Sequence, residues 1–210
     1  MNINIKYIFR LISLSVVLAL FASCEETKEE SEFHDWKARN DHFIDSIADV
    51  AKKNADGNWA IYKAHTLGDD FGMDKDHKYY IYVQKLADGT GTEKPEYNDS
   101  IRVHYSGRLI PSAKYPAGYN FDKSYNSSTP DPATDVPTLF CPNSVVVGFA
   151  TAAMNMVVGD NWRVYIPYNL GYGSESSTLP AYSTLIYDMQ LAKIYKYGID
   201  KDTRWWTKRR

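Results

Sequence analysis

The usual reactive constellations are absent from this sequence, and what remains to do chemistry is aromatic. Five histidines, His34, His42, His65, His77 and His104, stand at no metal-ligand spacing. His34 and His42 fall on a helix surface, and His104, in a strand, points to the side opposite Tyr105. Asp69, Asp70, Asp74 and Asp76 crowd one loop but lack the spacing and glycine of a calcium loop, so they read as solvated. Cys141, beside Pro142, reads as a buried structural thiol rather than a nucleophile. No glycine-rich phosphate loop occurs, and no metal or cofactor is expected. The remaining resource is seventeen tyrosines and eight phenylalanines. A tyrosine joins an apolar ring to a polar tip, which suits strands and the walls of a binding groove.

Two kinds of element are predicted to position these rings. Residues 33–53 carry Phe33, Trp36, Phe43, Ile47, Val50 and Ala51 on one helical stripe, stopped at Asn54-Ala55-Asp56-Gly57. Residues 58–77 show no settled period beyond Trp59, Ile61 and Tyr62. The period then becomes two. Residues 79–86 and 101–109 read as strands flanking a turn at 88–91, and 162–167 and 184–193 read as two more. Between them, 111–142 holds six of the nine prolines and little periodic structure apart from 120–125, a length that often belongs to a binding surface. A short helix at 150–158 ends at Gly159. The expected fold is α+β: an antiparallel sheet wrapped on one short α-helix, with an N-terminal helical extension.

Composition narrows the setting. With 44% apolar and 24% charged residues the chain can bury a globular core. A formal charge of −2 and a pI near 6.2 exclude the basic surface that general nucleic-acid binding requires. Two cysteines cannot build a disulfide framework. Lys6 and Arg10 precede an apolar run at 11–21, followed by Ala22 and Ser23, the three-part shape of a secretory signal peptide. Cys24 then resembles the lipidated cysteine of a bacterial lipobox, although Phe21 stands where leucine is usual. The alternative is an ordinary signal peptide in which Cys24 has no role. Losing residues 1–23 removes two positive charges and no acids, moving the formal charge from −2 to −4. Glu25, Glu26, Glu29, Glu30 and Glu32 make a solvated acidic tether. It is similar to the stretch that sends some Bacteroidetes-type lipoproteins to the cell surface.

Along 80–194 a series of short motifs resembles the FKBP-type peptidyl-prolyl isomerases. Gly89-Thr90-Gly91 lies in the opening hairpin, and Val103-His104-Tyr105-Ser106-Gly107 is close to the family's V-H-Y-T-G strand. Phe121-Asp122-Lys123-Ser124 resembles F-D-S-S; Phe140, then 145–149, resembles F-x-L-N-x-V-I-x-G-W. Residues 154–159 and 165–167 follow in family order, Leu170-Gly171-Tyr172-Gly173 matches L-A-Y-G, and Leu179-Pro180 and 184–191 complete the series. The departures are Phe149 for the tryptophan that floors the family's pocket, Tyr187 for phenylalanine, Ala181 for proline, and longer loops around Phe121.

The resemblance implies an enzyme that isomerises Xaa-Pro bonds of exported proteins, a folding helper needing no cofactor. It implies that Tyr105, Phe121, Phe149 and Tyr187, with Phe140, wall the proline ring. Asp122 would orient Tyr105 or the substrate, and Tyr172 would place its hydroxyl on a substrate carbonyl. Val145, Val146 and Leu179 would contact substrate, the Val146 N–H bonding another carbonyl. The departures imply weakened affinity for the family's macrolide ligands. They also favour, as a rival, a non-catalytic binding module; a second rival is a structural subunit of an outer-membrane complex, with the loops and helix 33–53 as its interface. The expected organisation is a signal peptide at 1–23, a lipidated tether at 24–32, a helical extension at 33–78, the FKBP-like domain at 79–194 and a basic, aromatic tail at 195–210. That tail suits anionic lipid or packing against the helix. The expected location is the cell envelope, lipid-anchored at the outer membrane on its periplasmic or exposed face. Replacing the anchor tests this: Cys24→Ala is expected to move the protein from the membrane fraction to the soluble fraction of lysed cells.

Overall fold

The computed structural model describes residues 31–68, 76–131 and 133–199. The signal segment, Cys24, most of the acidic tether, Asp69, Asp70, Asp74 and the 204–210 tail lie outside the described residues. The unit that begins at Asp35 contains all the strands and helices discussed below.

In chain order these are α1 (Trp36–Lys53), β1 (Trp59–Lys63), β2 (Tyr80–Ala87), β3 (Ser100–Arg108), β4 (Asn120–Lys123), β5 (Thr138–Phe140), α2 (Val147–Ala153), β6 (Asn161–Ile166) and β7 (Leu185–Tyr195). The strands form one antiparallel sheet in the order β1-β2-β6-β7-β3-β4, with β5 pairing the other half of β3's free edge. Alternation along β3 decides its two faces. Ile101, Val103 and Tyr105 point inward with Val164, Ile166, Leu185, Met189 and Leu191 of the neighbouring strands, all buried. Arg102, His104, Ser106 and Arg108 point outward. Residues 59–63, within the segment without a settled period in the sequence, become edge strand β1, and β5 supplies a strand where no periodic structure was expected.

The second helix differs from expectation. It spans Val147–Ala153 rather than 150–158, and Gly159 lies in a separate turn beyond it instead of ending it. Seven residues are too few for a helix to persist by propensity, so packing sets its extent. Gly148, Ala150, Ala152 and Ala153 let it lie close on the inner face. A Cβ on Gly148 would come within 2.2 Å of the Ile166 Cγ2.

The stripe of α1 is also rotated from the expected one. Trp36, Asn40, Ile44, Ala48 and Ala51 are buried, whereas Phe43 and Ile47 are half-buried and Val50 is 46% exposed. The helix lies over the outer face, where Phe43 packs on Tyr165 with ring centroids 6.2 Å apart. Asn40 belongs to the buried face because its amide is satisfied twice: Nδ2 donates to the Trp36 carbonyl at 2.7 Å, and Oδ1 accepts the Thr184 N–H at 2.7 Å. A hydrophobic pattern cannot find such a residue. The expected stop stands, with Asn54 in the left-handed region accepting the Trp59 N–H on Oδ1.

Elsewhere the outer face is polar. Asp188 on β7 accepts from Arg163 Nε at 2.6 Å and from Arg108 Nη1 at 2.8 Å, tying three strands together. Burial opposes ionisation of Asp188, but the two guanidiniums outweigh it and hold its carboxyl below the usual range. His104 is on this face, away from the groove, yet buried edge-on against Tyr125, and burial lowers its pKa. Cys141 is half-buried, its sulfur 3.4 Å from Ser100 Oγ. No helix among the described residues is long and apolar enough to cross a membrane.

Overpacking at the helix–sheet contact is costly because neither backbone can retreat. Gly148→Ala is expected to destabilise the protein by roughly 1–3 kcal/mol in urea denaturation, with an unchanged m-value.

Candidate active site

Gly107 creates the space in which the rings meet. A Cβ there would lie 2.6 Å from Tyr187 Cε1 and 2.8 Å from Phe121 Cζ, so both rings rest on bare backbone. The register places Gly107 opposite Tyr187 on β7 and Asp122 on β4. Two positions back, Tyr105 is fixed through Ser124, whose Oγ accepts the Tyr105 N–H and whose N–H donates to the Tyr105 carbonyl, each at 2.9 Å. The Tyr105 hydroxyl then donates to Asp122 Oδ2 at 2.8 Å.

Around this pair the aromatics pack edge to face, the arrangement favoured by their quadrupoles. Phe149, brought in by α2, stands at 89° to Tyr105, 84° to Tyr187 and 64° to Phe140. Phe140 on β5 is 5.3 Å from Tyr105 between centroids. These rings, with Asp122, Ser144, Val145, Val146 and Tyr172, line a cavity of about 260 Å³. That is just below the roughly 300–1,000 Å³ of pockets for drug-sized ligands, a size for one side chain and its flanking peptide. A larger cavity, of about 330 Å³, lies against α1, but it is walled by Lys37, Asp41, Asp45, Asp76 and Lys78. Charged, mutually paired walls make it the poorer candidate for an apolar ligand.

The structure therefore gathers Tyr105, Asp122, Phe140, Val145, Val146, Phe149, Tyr172 and Tyr187 in one wall. Two expected residues lie elsewhere. Phe121 is not in the cavity wall; it packs edge-on to Tyr187 at 5.6 Å and supports that ring. Leu179 is buried in the core and does not line the cavity. Ser144 lines it without having been named, since a lone serine carries no period to reveal it, and Ser124, read in the sequence only as the end of the Phe121–Ser124 motif, holds Tyr105 from behind.

Tyr172 is 41% exposed at the mouth of the cavity, which it lines together with Tyr187. Burial pushes the Tyr187 hydroxyl well above the ordinary tyrosine range, and the Tyr172 contact adds to this. Burial also raises Tyr105, and its hydrogen bond to Asp122 raises it further. Both hydroxyls are thus protonated donors at neutral pH, set in apolar walls. Among the described residues no His, Cys, Asp and Glu side chains cluster as a metal site.

The raised pKa values set a pH limit. A tyrosine whose folded pKa lies above its unfolded value stabilises the fold below the unfolded value, near 10, and that stability is lost as pH rises further. In absorbance titration at high pH, Tyr105→Phe is expected to remove a late-ionising tyrosine rather than one titrating near 10. It should also move the alkaline unfolding midpoint upward.

Comparison with known proteins places the fold in a family. The profile of the FKBP-type peptidyl-prolyl cis-trans isomerases matches residues 91–192. The macrophage infectivity potentiator of Trypanosoma cruzi is 37% identical over 120 residues, which cover 56% of this chain and 55% of that protein. FK506-binding protein 2 of Kluyveromyces lactis is 30% identical over 111 residues, covering 52% of this chain and 72% of that protein. The chain thus spans little more than half the length of the first of these relatives. A peptidyl-prolyl cis-trans isomerase from Pseudomonas syringae pv. tomato shares the fold at a TM-score of 0.52 and 23% identity, over 80% of this chain and 98% of that one. The antiparallel sheet on a short helix, the aromatic cavity and these matches together make the chain a member of the FKBP-type peptidyl-prolyl cis-trans isomerase family.

Proposed function

We propose that the aromatic cavity binds the proline of an Xaa-Pro segment and accelerates its cis–trans isomerisation. Rotation about a peptide bond costs about 18–20 kcal/mol because amide resonance is broken, and Xaa-Pro bonds turn over unaided in tens to hundreds of seconds. Resonance makes the planar amide the more polar form, and water stabilises it. An apolar enclosure removes that advantage, while a few fixed donors hold the flanking carbonyls. The observation that carries this reading is the enclosure itself: aromatic walls around about 260 Å³, with hydroxyl and N–H donors at the rim.

On this reading Tyr105, Phe140, Phe149 and Tyr187 hold the ring, and Phe121 supports Tyr187. Tyr172 donates to a substrate carbonyl at the mouth. Val146, whose N–H has no backbone partner among the described residues, precedes α2 and donates to another. Asp122 keeps the Tyr105 hydroxyl aimed at the rim. The substrates are proline-containing segments of exported proteins, and the protein works in the cell envelope, held to the membrane through lipidated Cys24. Macrolide ligands of the family would bind weakly over Phe149, a smaller floor than tryptophan.

One observation favours a second reading, a module that holds a prolyl segment without turning it over. Phe149 and Tyr187 line the cavity where the family's pattern has tryptophan and phenylalanine, which shrinks the floor and adds a buried hydroxyl to the wall.

Exchange of an Xaa-Pro peptide, followed by magnetisation transfer, separates the two. The purified chain is expected to exceed the uncatalysed rate. Tyr172→Phe should lower kcat/KM by about tenfold, the worth of one hydrogen bond of about 1.4 kcal/mol, and Phe149→Ala by more. Exchange at the uncatalysed rate, with the peptide still bound, would leave the binding module.

A further inference from the structure

Tyr172 hangs on a segment that α1 holds from outside the groove. Between β6 and β7, the Tyr168 carbonyl accepts the N–H of Gly171 at 3.0 Å and of Gly173 at 2.9 Å, the two neighbours of Tyr172. The Tyr182 N–H closes the segment by donating to the Gly173 carbonyl at 3.0 Å. Tyr168 and Tyr182 therefore set where Tyr172 stands. Their rings meet edge-on, with centroids 5.1 Å apart.

Both are gripped by the first turns of α1. The Lys37 ammonium lies 5.8 Å from the Tyr168 ring centroid and 5.6 Å from that of Tyr182. It is steadied there by Asp41 at 2.5 Å, one turn along the helix. Next to Tyr182, Ser183 Oγ accepts from Trp36 Nε1 at 2.9 Å, and the Thr184 N–H donates to Asn40 Oδ1 at 2.7 Å. Tyr182 itself has φ 62°, a left-handed conformation that a bulky side chain adopts at a cost. Such a residue persists only where its surroundings over-determine it, and α1 holds both residues that follow it.

We propose that α1 is a clasp for the rim of the groove, in which Lys37, Trp36 and Asn40 are positioning residues that fix Tyr172 through Tyr168 and Tyr182. Its effect on catalysis rests on the isomerase reading above; the clasp itself does not. Because Lys37 is exposed and touches nothing in the core, its loss loosens the segment and leaves the sheet intact. The expected consequence is weaker substrate capture, a higher KM, with little change in kcat.

Lys37→Met in the full chain tests this, with Lys37→Arg as the conservative variant, since a guanidinium also binds ring faces. Amide exchange is read at Gly171 and Gly173, and at Val103 and Met189 as reporters of the sheet. Lys37→Met should speed exchange at the two glycines by roughly 5- to 30-fold, the worth of two exposed cation–π contacts, without speeding it at the sheet amides. Lys37→Arg should restore protection. Trp36→Phe, which removes the donor to Ser183 together with part of a buried ring, should act in the same direction. Glycine exchange unchanged in Lys37→Met, or accelerated equally across the sheet, overturns the clasp. Where the wild type turns over an Xaa-Pro peptide, KM should rise in Lys37→Met and return in Lys37→Arg; an unchanged KM removes its role in capture. A wild type without turnover defeats the isomerase reading and leaves the exchange experiment to decide the clasp.

Discussion

The register of β3 against β7 is the constraint on which the rest of the molecule depends. It puts Gly107 opposite Tyr187 and Ser106 opposite Asp188, so one side of the pair is aromatic and the other ionic. A slip of one residue would turn His104 into the groove and Tyr105 out of it. Two devices hold the register from opposite faces. Inside, Tyr187 and Phe121 lie on the bare backbone of Gly107, a fit that no other position of β3 offers. Outside, Asp188 is gripped by Arg108 from one neighbouring strand and Arg163 from the other. With the sheet fixed, small residues of α2 bring Phe149 down onto it and close the cavity floor.

The cavity suits the reaction proposed for it. Peptide-bond rotation needs neither a nucleophile nor a transferred proton, only an environment that prefers the twisted amide. Edge-to-face rings supply the apolar part, each leaning on the next. The hydroxyls of Tyr105 and Tyr187 are kept protonated by the same burial that makes the site apolar. Asp122 accepts the hydrogen bond of the Tyr105 hydroxyl at the rim, so that buried donor is not left without a partner. Replacing the family's tryptophan by Phe149 and phenylalanine by Tyr187 makes the floor smaller and adds a hydroxyl without opening the walls.

The N-terminal helix has a place in the same arrangement. It packs on the outer face of the sheet, on the side away from α2, and reaches past the sheet end to the segment that carries Tyr172. Buried Asn40 and Trp36 join it to Ser183 and Thr184, and exposed Lys37 caps two tyrosine rings. The strained conformation of Tyr182 is what links these contacts to the mouth of the groove. An extension of the chain thereby becomes part of the frame of the site.

The order of the motifs, strands β2, β3, β6 and β7, the helix read over 33–53 and most of the cavity wall are legible in the sequence, because alternation and short aromatic motifs are local properties. Tyr105, Asp122, Phe149 and Tyr187 could be named from it. What tertiary structure alone decided is what depends on partners distant in the chain. The buried face of α1 turns on Asn40, whose amide is satisfied by a residue 144 positions away. β1 and β5 exist because edges of the sheet accept them, not because their own residues alternate. The short second helix lies where Ile166 lets Gly148 approach rather than where Gly159 suggested an end. Phe121 and Leu179 carry the motifs of site residues, yet one supports Tyr187 from behind and the other fills the core. Sequence determined which side chains were available to make a groove; only packing decided which of them face it, since a ring's direction is set by what lies against it.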